Sequence, residues 1–403
     1  MDEEQYNPEV SGEVRWAANG QYCYFRPNPL PFGISLGEER EERLSSALIL
    51  LARLDGKVSQ LSKGERDVLT MAFTLKESAL SSAIEGTGTT MADLYRAERV
   101  SERDPARAED NREVANYKRA LDLGLARVEE EGCITEGCMM EMHRILLEGV
   151  RGRDRQPGEY RDSQVVVGVY GDTVSTARYV PVPPEEVPWA MDNWFEYVNG
   201  RRDGVLTRAA LAHYQFETIH PFKDGNGRVG RLMIMLMLHR CGLFTCPVLY
   251  LSEFFNRNRR EYIDRLSGVR EADRFGDWID FFVTGLEFQA RSSMRLMDDL
   301  SACRAEMKEG VDSVNALRTI DMLFSNPFVR VSDVAAETGL SFPAATRIVE
   351  GLEARGILRE TTGNRRNRLY VSDRILDLLE NRGPGRPLPR GGQLYPMPWF
   401  VRP

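Results

Sequence analysis

The sequence predicts a mainly α fold that carries one small β-hairpin and ends in a winged helix-turn-helix. Three observations predict it. From about Ala47 to Leu266, polar and apolar residues alternate at helical spacing with breaks at Gly and Pro, as between Gly149 and Gly158. A single β-branched run, Ser163 to Val169, interrupts that pattern. Beyond Val311 the pattern changes to two short helices followed by two alternating strands.

Taken in order, the first helical landmark is the stretch Asp67 to Glu85, closed by Gly86. The β-branched run then turns through Tyr170-Gly171-Asp172 into a second extended arm, Ala177 to Val182, which Pro183-Pro184 closes. Prolines donate no ladder hydrogen bonds, so the hairpin is expected to remain a small flap with an exposed edge. The run Leu232 to Leu238 is apolar throughout and reads as helical. In the tail, Ser332 to Gly339 reads as a short helix capped by Ser332, and Ser341 to Arg355 as a longer one ended by Gly356. Ile357 to Val371 reads as a wing around Gly363-Asn364. Asn381 to Pro403 is rich in Pro, Gly and Arg, with Tyr395, Trp399 and Phe400 as candidate docking residues. The expected divisions are an N-terminal helical region over 1–110, a core with following helices over 111–300, the winged helix over 311–375, and an irregular tail over 376–403.

A chain of 403 residues exceeds one average domain, and 42% hydrophobic with 28% charged residues is a globular balance. No apolar run reaches membrane-spanning length and the start, Met1-Asp2-Glu3-Glu4, is acidic, so a cytoplasmic protein without membrane contact is expected. The six cysteines, with Cys133/Cys138 and Cys241/Cys246 each separated by four residues, fit neither a zinc site nor a disulfide scaffold and read as reduced thiols. The net charge of −8 excludes a chain that coats nucleic acid with its whole surface.

The chemistry concentrates in His220-Pro221-Phe222-Lys223-Asp224-Gly225-Asn226-Gly227-Arg228-Val229-Gly230-Arg231. A glycine-rich turn entering a helix is an anion site, because orphan amides and the positive dipole end face the ligand. Arg228 and Arg231 stand three apart, on neighbouring faces of the first turn, and two guanidinium forks suit a polyphosphate. Asp224 is a hard oxygen donor of the type that holds a Mg²⁺ already bridged to phosphates. Pro221 disfavours helix at His220, which places that imidazole at a helix end, where it can accept a proton from a hydroxyl.

This stretch resembles the HPFxDGNGRxxR signature of the Fic family at every defining position. The resemblance implies a Fic-type helical core, with Arg112 to Tyr117, Pro157 to Arg161 and Tyr179-Val180-Pro181 as lesser landmarks. It implies that His220 deprotonates a Tyr, Thr or Ser hydroxyl, that Phe222 anchors the loop and that Asp224 binds Mg²⁺. Gly225, Asn226 and Gly227 would form the anion hole, Arg228 and Arg231 would hold phosphates, and Gly230 belongs to the same nucleotide-binding set. ATP would then donate AMP to a protein. The 164–182 flap would dock that protein edge to strand, with Val167, Gly168, Val169 and Tyr170 lining the nucleotide and Tyr262 near the adenine. Ile263 departs from the family's second aromatic there. A homodimer and self-modification are further expectations from the family.

Upstream, Ser81-Ser82-Ala83-Ile84-Glu85-Gly86 alone would read as a helix C-terminus. Beside the signature it resembles the family's [ST]xxxE[GN] inhibitory motif. The resemblance implies that Glu85 pairs with Arg231 and holds the place of the γ-phosphate, with Ser81 and Gly86 completing the motif. The winged helix raises a DNA contact through 341–368, where Arg359, Arg365, Arg366 and Arg368 form a basic spot. Nine arginines against eight carboxylates from Asp312 to Arg374, with Glu350 and Glu353 near the would-be recognition helix, make that spot narrow. A nucleotide-sensing DNA-binding regulator and a transferase with another phosphoryl donor are the alternatives.

Overall fold

The computed structural model describes residues 1–18, 20–100, 104–168 and 171–380. The chain opens with a β-hairpin, β1 (Gly12–Trp16) against β2 (Cys23–Pro27), in antiparallel register with Val14 opposite Phe25. This is a feature the helical expectation for the first 110 residues lacks. Helices follow: α1 (Glu38–Ser59), α2 (Lys63–Ile84), α3 (Met91–Ala97), α4 (Pro105–Glu131), α5 (Glu136–Leu146), α6 (Val187–Asn199), α7 (Val205–Ile219), α8 (Asn226–Arg240), α9 (Ser252–Arg257), α10 (Arg259–Ala272) and α11 (Phe275–Lys308).

Local chemistry sets these bounds. Ser62 and Glu65 exchange hydrogen bonds as a capping box, so α2 starts earlier than the Asp67 of the sequence reading. The buried residues of α1, namely Leu44, Ala47, Leu50, Leu51, Leu54 and Val58, follow helical spacing along one stripe, and the helix packs on α11. Every residue from Leu232 to Leu238 of α8 is buried, as its uniform apolarity requires. With α7 it forms the centre, and α2, α4, α5, α6 and α11 pack around that pair. At Gly124 of α4 a Cβ would meet Met142 Sδ at 2.8 Å and Leu236 Cδ1 at 2.9 Å, so three helices converge on the missing side chain.

The flap departs from its expectation. Among the described residues its two arms meet at one isolated bridge, Val167 opposite Tyr179. Gln164 Nε2 donates to the Pro181 and Val165 carbonyls, a side chain standing where a backbone rung would be, and Pro181 has no N–H to return. The second arm is instead covered by the N-terminal segment. Phe25 N–H donates to Val180 O, Tyr6 Oη donates to Arg178 O, and the Met1 amino group donates to Val174 O.

The chain then adds α12 (Val314–Ser325), β3 (Phe328–Arg330), α13 (Val331–Thr338), α14 (Phe342–Ala354), β4 (Arg359–Glu360), β5 (Leu369–Val371) and α15 (Asp373–Leu379), with the strands antiparallel in the order β3-β5-β4. α13 begins one residue before Ser332, because Asp333 accepts the Arg330 N–H and makes Arg330 the cap position. α12 leans on α2 and α11, and α15 on α11 and α3. Several of the expected basic residues are engaged: Arg359 makes two hydrogen bonds to Asp373, Arg374 pairs with Glu306, and Arg368 Nε donates to Asn364 O. The helix to Leu379 shortens the irregular tail, while Asn381 to Pro403, with Tyr395, Trp399 and Phe400, lies outside the described residues. All six cysteines are free thiols. No described helix is long and apolar enough to cross a membrane.

The two glycines Gly56 and Gly124 lie inside helices with opposite surroundings. No neighbouring atom lies within 4 Å of a Cβ built at exposed Gly56. Gly56→Ala is expected to stabilise by about 0.5–1 kcal/mol through helix propensity, and Gly124→Val to destabilise by about 1–3 kcal/mol through overpacking, read from urea unfolding midpoints. Equal shifts for both would contradict this packing.

Candidate active site

The loop between α7 and α8 is held by its own backbone before any ligand is considered. α7 ends in His220, whose left-handed backbone (φ 52) is closed by its N–H donating to Phe216 O at 2.9 Å. Gly225 caps α8 at φ 81, where a residue with a Cβ is strained. The first internal bond of α8 runs from Val229 N–H to Gly225 O, so the amides of Asn226, Gly227 and Arg228 precede it and form the open, dipole-positive helix end. Asn226 ties the loop with both ends of its side chain: Oδ1 accepts from Phe222 N and Nδ2 donates to Phe222 O, each at 2.8 Å. Its contribution to an anion hole is therefore its backbone amide.

Two residues outside the signature fix the loop from below. The His143 ring stacks on Phe222 with centroids 3.8 Å apart. Gly158 N–H donates to His143 Nδ1, so the ring hydrogen sits on Nε2 and is donated to Asp224 O, both at 2.9 Å. Burial pushes the His143 pKa down to about 4, which keeps this tautomer neutral. Arg161 donates from Nε to His220 O at 2.9 Å and from Nη2 to the Val182 and Ile219 carbonyls. It joins the flap's second arm to the catalytic turn.

The His220 imidazole places Nδ1 3.4 Å from Glu217 O. A carbonyl only accepts, so Nδ1 carries the hydrogen and Nε2 keeps its lone pair. Burial, followed by the positive charge of Arg161, pushes the His220 pKa down to about 4. One turn earlier, burial raises the Glu217 carboxyl to about 7, with Arg231 opposing the rise and Glu85 adding to it.

The two signature arginines diverge. Arg231, 3% exposed, donates from Nε to Ser81 Oγ at 2.8 Å and from Nη2 to Ser81 O at 3.0 Å and Glu85 Oε1 at 2.8 Å. Burial resists the charge on Glu85, but Arg231 outweighs it, with help from Arg228 and Arg259, and holds the carboxyl below the ordinary glutamate range. Glu85 ends α2 and Gly86 leaves it at φ 96, while Gly227 gives the carboxylate room, since a Cβ there would lie 2.4 Å from Glu85 Oε1. Gly230 serves the packing of α7 on α8, its absent Cβ falling 2.7 Å from Glu217 Oε1. Arg228 differs from the expected phosphate clamp. It is 1% exposed, with Nη1 2.6 Å from Glu113 Oε1 and Nη2 3.5 Å from Asp224 Oδ1, because its face of α8 is covered by α4.

Tyr262 also departs from its expectation. Its ring lies in the aromatic core, stacked on Phe255 at 4.6 Å, and its hydroxyl meets His213 Nε2 at 2.7 Å. At 5% exposure it offers no open face to an adenine. Val167 and Gly168 border the flap bridge, whereas Val169 and Tyr170 lie outside the described residues.

Asp224 suits a divalent cation that arrives with its own ligands. Its side chain is 36% exposed, and the missing Cβ of Gly152, which would lie 2.8 Å from Oδ2, leaves room beside that oxygen. Among the described residues no three His, Cys, Asp or Glu side chains gather as a metal cluster, and Asp224 stands as a single part-exposed carboxylate.

Sequence profiles agree with this geometry. The profile of the Fic/DOC family matches residues 133–238, and that of the Fic/DOC N-terminal region matches 41–126. Similar curated proteins include the protein adenylyltransferase Fic of Aedes aegypti, 28% identical over 231 residues, covering 55% of this chain and 43% of that protein. A probable protein adenylyltransferase of Aquifex aeolicus is 32% identical over 147 residues, 36% of this chain and 38% of that one. This chain thus spans about half the length, or less, of these curated relatives. A Fic-domain-containing signalling protein from Bacteroides thetaiotaomicron shares the fold at 22% identity with a TM-score of 0.51, over 62% of this chain and 95% of that one. A Fic protein of C. elegans does so at 23% identity with a TM-score of 0.50, over 64% and 76%. With both profiles matched in order around the helical core and its loop, residues 41–126 and 133–238 carry the N-terminal and core regions of the Fic/DOC family.

Proposed function

We infer that this chain is a protein adenylyltransferase that moves AMP from ATP to a protein hydroxyl. The observation that carries the reading is the pairing of a neutral His220, lone pair on Nε2, with the open amide end of α8 that begins six residues later. The acceptor hydroxyl attacks the α-phosphorus, its proton passes to His220 Nε2, and the bond to the β-phosphate oxygen breaks to release pyrophosphate. Amides at the start of α8 stabilise the charge that develops on the phosphoryl oxygens. When bound, Mg²⁺ supplies charge neutralisation to the phosphates, with Asp224 as its protein ligand. The relatives named protein adenylyltransferase support AMP as the group transferred.

The flap supports a protein acceptor. Its second arm is covered by the N-terminal segment, while Gln164 to Val167 of the first arm are only partly buried and Ser163 and Gly168 are exposed. An extended target segment can add to that first arm by backbone hydrogen bonds and bring its hydroxyl towards His220.

Glu85 makes the resting enzyme a weak one. The charge-assisted bond from Arg231 takes the donor that an ATP phosphate needs, and one such bond is worth about 1.5–3 kcal/mol, so the competent population falls roughly tenfold to a hundredfold. Glu85→Gly is expected to raise self-labelling with radiolabelled ATP by that factor. His220→Ala in the same background is expected to abolish it. Equal labelling of Glu85→Gly and the parent chain would sink the inhibitory role, and labelling without His220 would sink the base.

The protonation state can be read directly. A pKa lowered from about 6.5 to about 4 leaves His220 neutral at any pH above the lower value. In ¹⁵N NMR of histidine-labelled protein its signals are expected to stay those of the Nδ1–H tautomer from pH 8 to 5. A midpoint near the ordinary histidine value would contradict the assignment.

A further inference from the structure

We propose that Glu113 is a positioning residue for the metal-side carboxylate, setting Asp224 through Arg228. The inference rests on the reading of Asp224 as the Mg²⁺ ligand. The Arg228 guanidinium is almost wholly buried between two carboxylates, 2.6 Å from Glu113 Oε1 and 3.5 Å from Asp224 Oδ1. Glu113 is itself 3% exposed, whereas Asp224 is 36% exposed and faces solvent in part. Coulomb attraction grows as distance and local dielectric fall, so the short buried contact takes the larger share of the arginine charge. Asp224 is steadied by the longer contact without being neutralised by it, and Oδ2 keeps the room beside Gly152.

The far oxygen of Glu113 is fixed as well. Thr87 Oγ1 donates to Glu113 Oε2 at 2.7 Å, so the carboxylate cannot rotate away from Arg228. Thr87 stands two residues beyond Glu85, and Arg151 lies 3.3 Å from Glu85 O and 3.6 Å from Glu113 Oε1. The end of the inhibitory helix and the metal carboxylate therefore share one residue, which lies on neither. Removing the charge of Glu113 leaves a buried guanidinium uncompensated, and its remaining partner is Asp224. Arg228 then closes on Asp224 and competes with the cation. Arg151 adds positive charge on that side and supplies no replacement carboxylate.

The test uses the full chain with Glu85→Gly and Mn²⁺ with ATP as the probe, free Mn²⁺ being counted by electron paramagnetic resonance. Glu113→Gln keeps an acceptor for Arg228 but loses the charge, and is expected to weaken Mn²⁺ binding by about tenfold or more, the scale for a ligand's hydrogen-bonded support. ATP binding in EDTA is expected to remain unchanged. Thr87→Val, which leaves the Arg228 pair in place, is expected to have the smaller effect. Should Glu113→Gln fold poorly, Glu113→Asp retains the charge at a longer reach and is expected to give an intermediate loss. Unchanged Mn²⁺ affinity in both Glu113 variants would overturn the proposal, as would an equal loss of metal-free ATP binding, which marks a general structural defect. Mn²⁺ binding that survives Asp224→Asn would overturn the metal reading itself and this inference with it, whereas missing AMP transfer alone would count against the transferase reading only.

Discussion

The guanidinium of Arg231 is where the architecture converges. It stands in the second turn of α8, a helix whose residues from Arg228 to Leu238 are all buried, and three hydrogen bonds from it run to the C-terminal end of α2. Three bonds to Ser81 and Glu85 aim it, and the charge on Glu85 keeps a buried cation tolerable. Without that carboxylate the same site offers an oriented guanidinium, still held by Ser81, next to the open amides of α8. Such a site has the donors and charge that suit a polyphosphate. On the proposed reading one residue serves the closed state and the nucleotide-bound state, and the choice between them is a competition between two anions.

Around this point the loop is rigid for reasons that are mostly backbone chemistry. Asn226 closes a ring on Phe222, His143 clamps the Asp224 carbonyl, and Arg161 gathers the carbonyls of Val182, Ile219 and His220. Positions in a catalytic turn tolerate little drift, and supporting hydrogen bonds are what limit it. The cost is a set of buried basic groups, which the protein meets by keeping His143 and His220 neutral through burial and by pairing Arg228 with Glu113.

Much of the site was legible because its signature is contiguous. His220, Gly225 and Arg231 each need a backbone position or a charge that the local sequence declares: Pro221 after the histidine, glycine at a positive φ, arginine near the start of a helix. Glu85 was legible through its match to a short motif at a helix end. What escaped depends on residues distant in sequence. Nothing local says that Arg228 meets Glu113 rather than a phosphate, since that pairing exists only because α4 covers one face of α8. Tyr262 looked free for a ligand because burial in an aromatic cluster is a tertiary property. His143, the last-turn histidine of an amphipathic helix, carried no signal stronger than a capping role. The flap was read from β-branched residues that do extend, but a Gln side chain and a proline displaced the ladder, and the N-terminal hairpin that covers it was not anticipated.

Competition for Arg231 is tested most directly by calorimetry of ATP and ADP binding to the parent chain and to Glu85→Gly. If Glu85 stands where the γ-phosphate must lie, ATP binds the variant roughly tenfold or more tightly, the worth of one charge-assisted bond, and ADP binds both proteins alike. An equal gain for both nucleotides, or none for ATP, would contradict it.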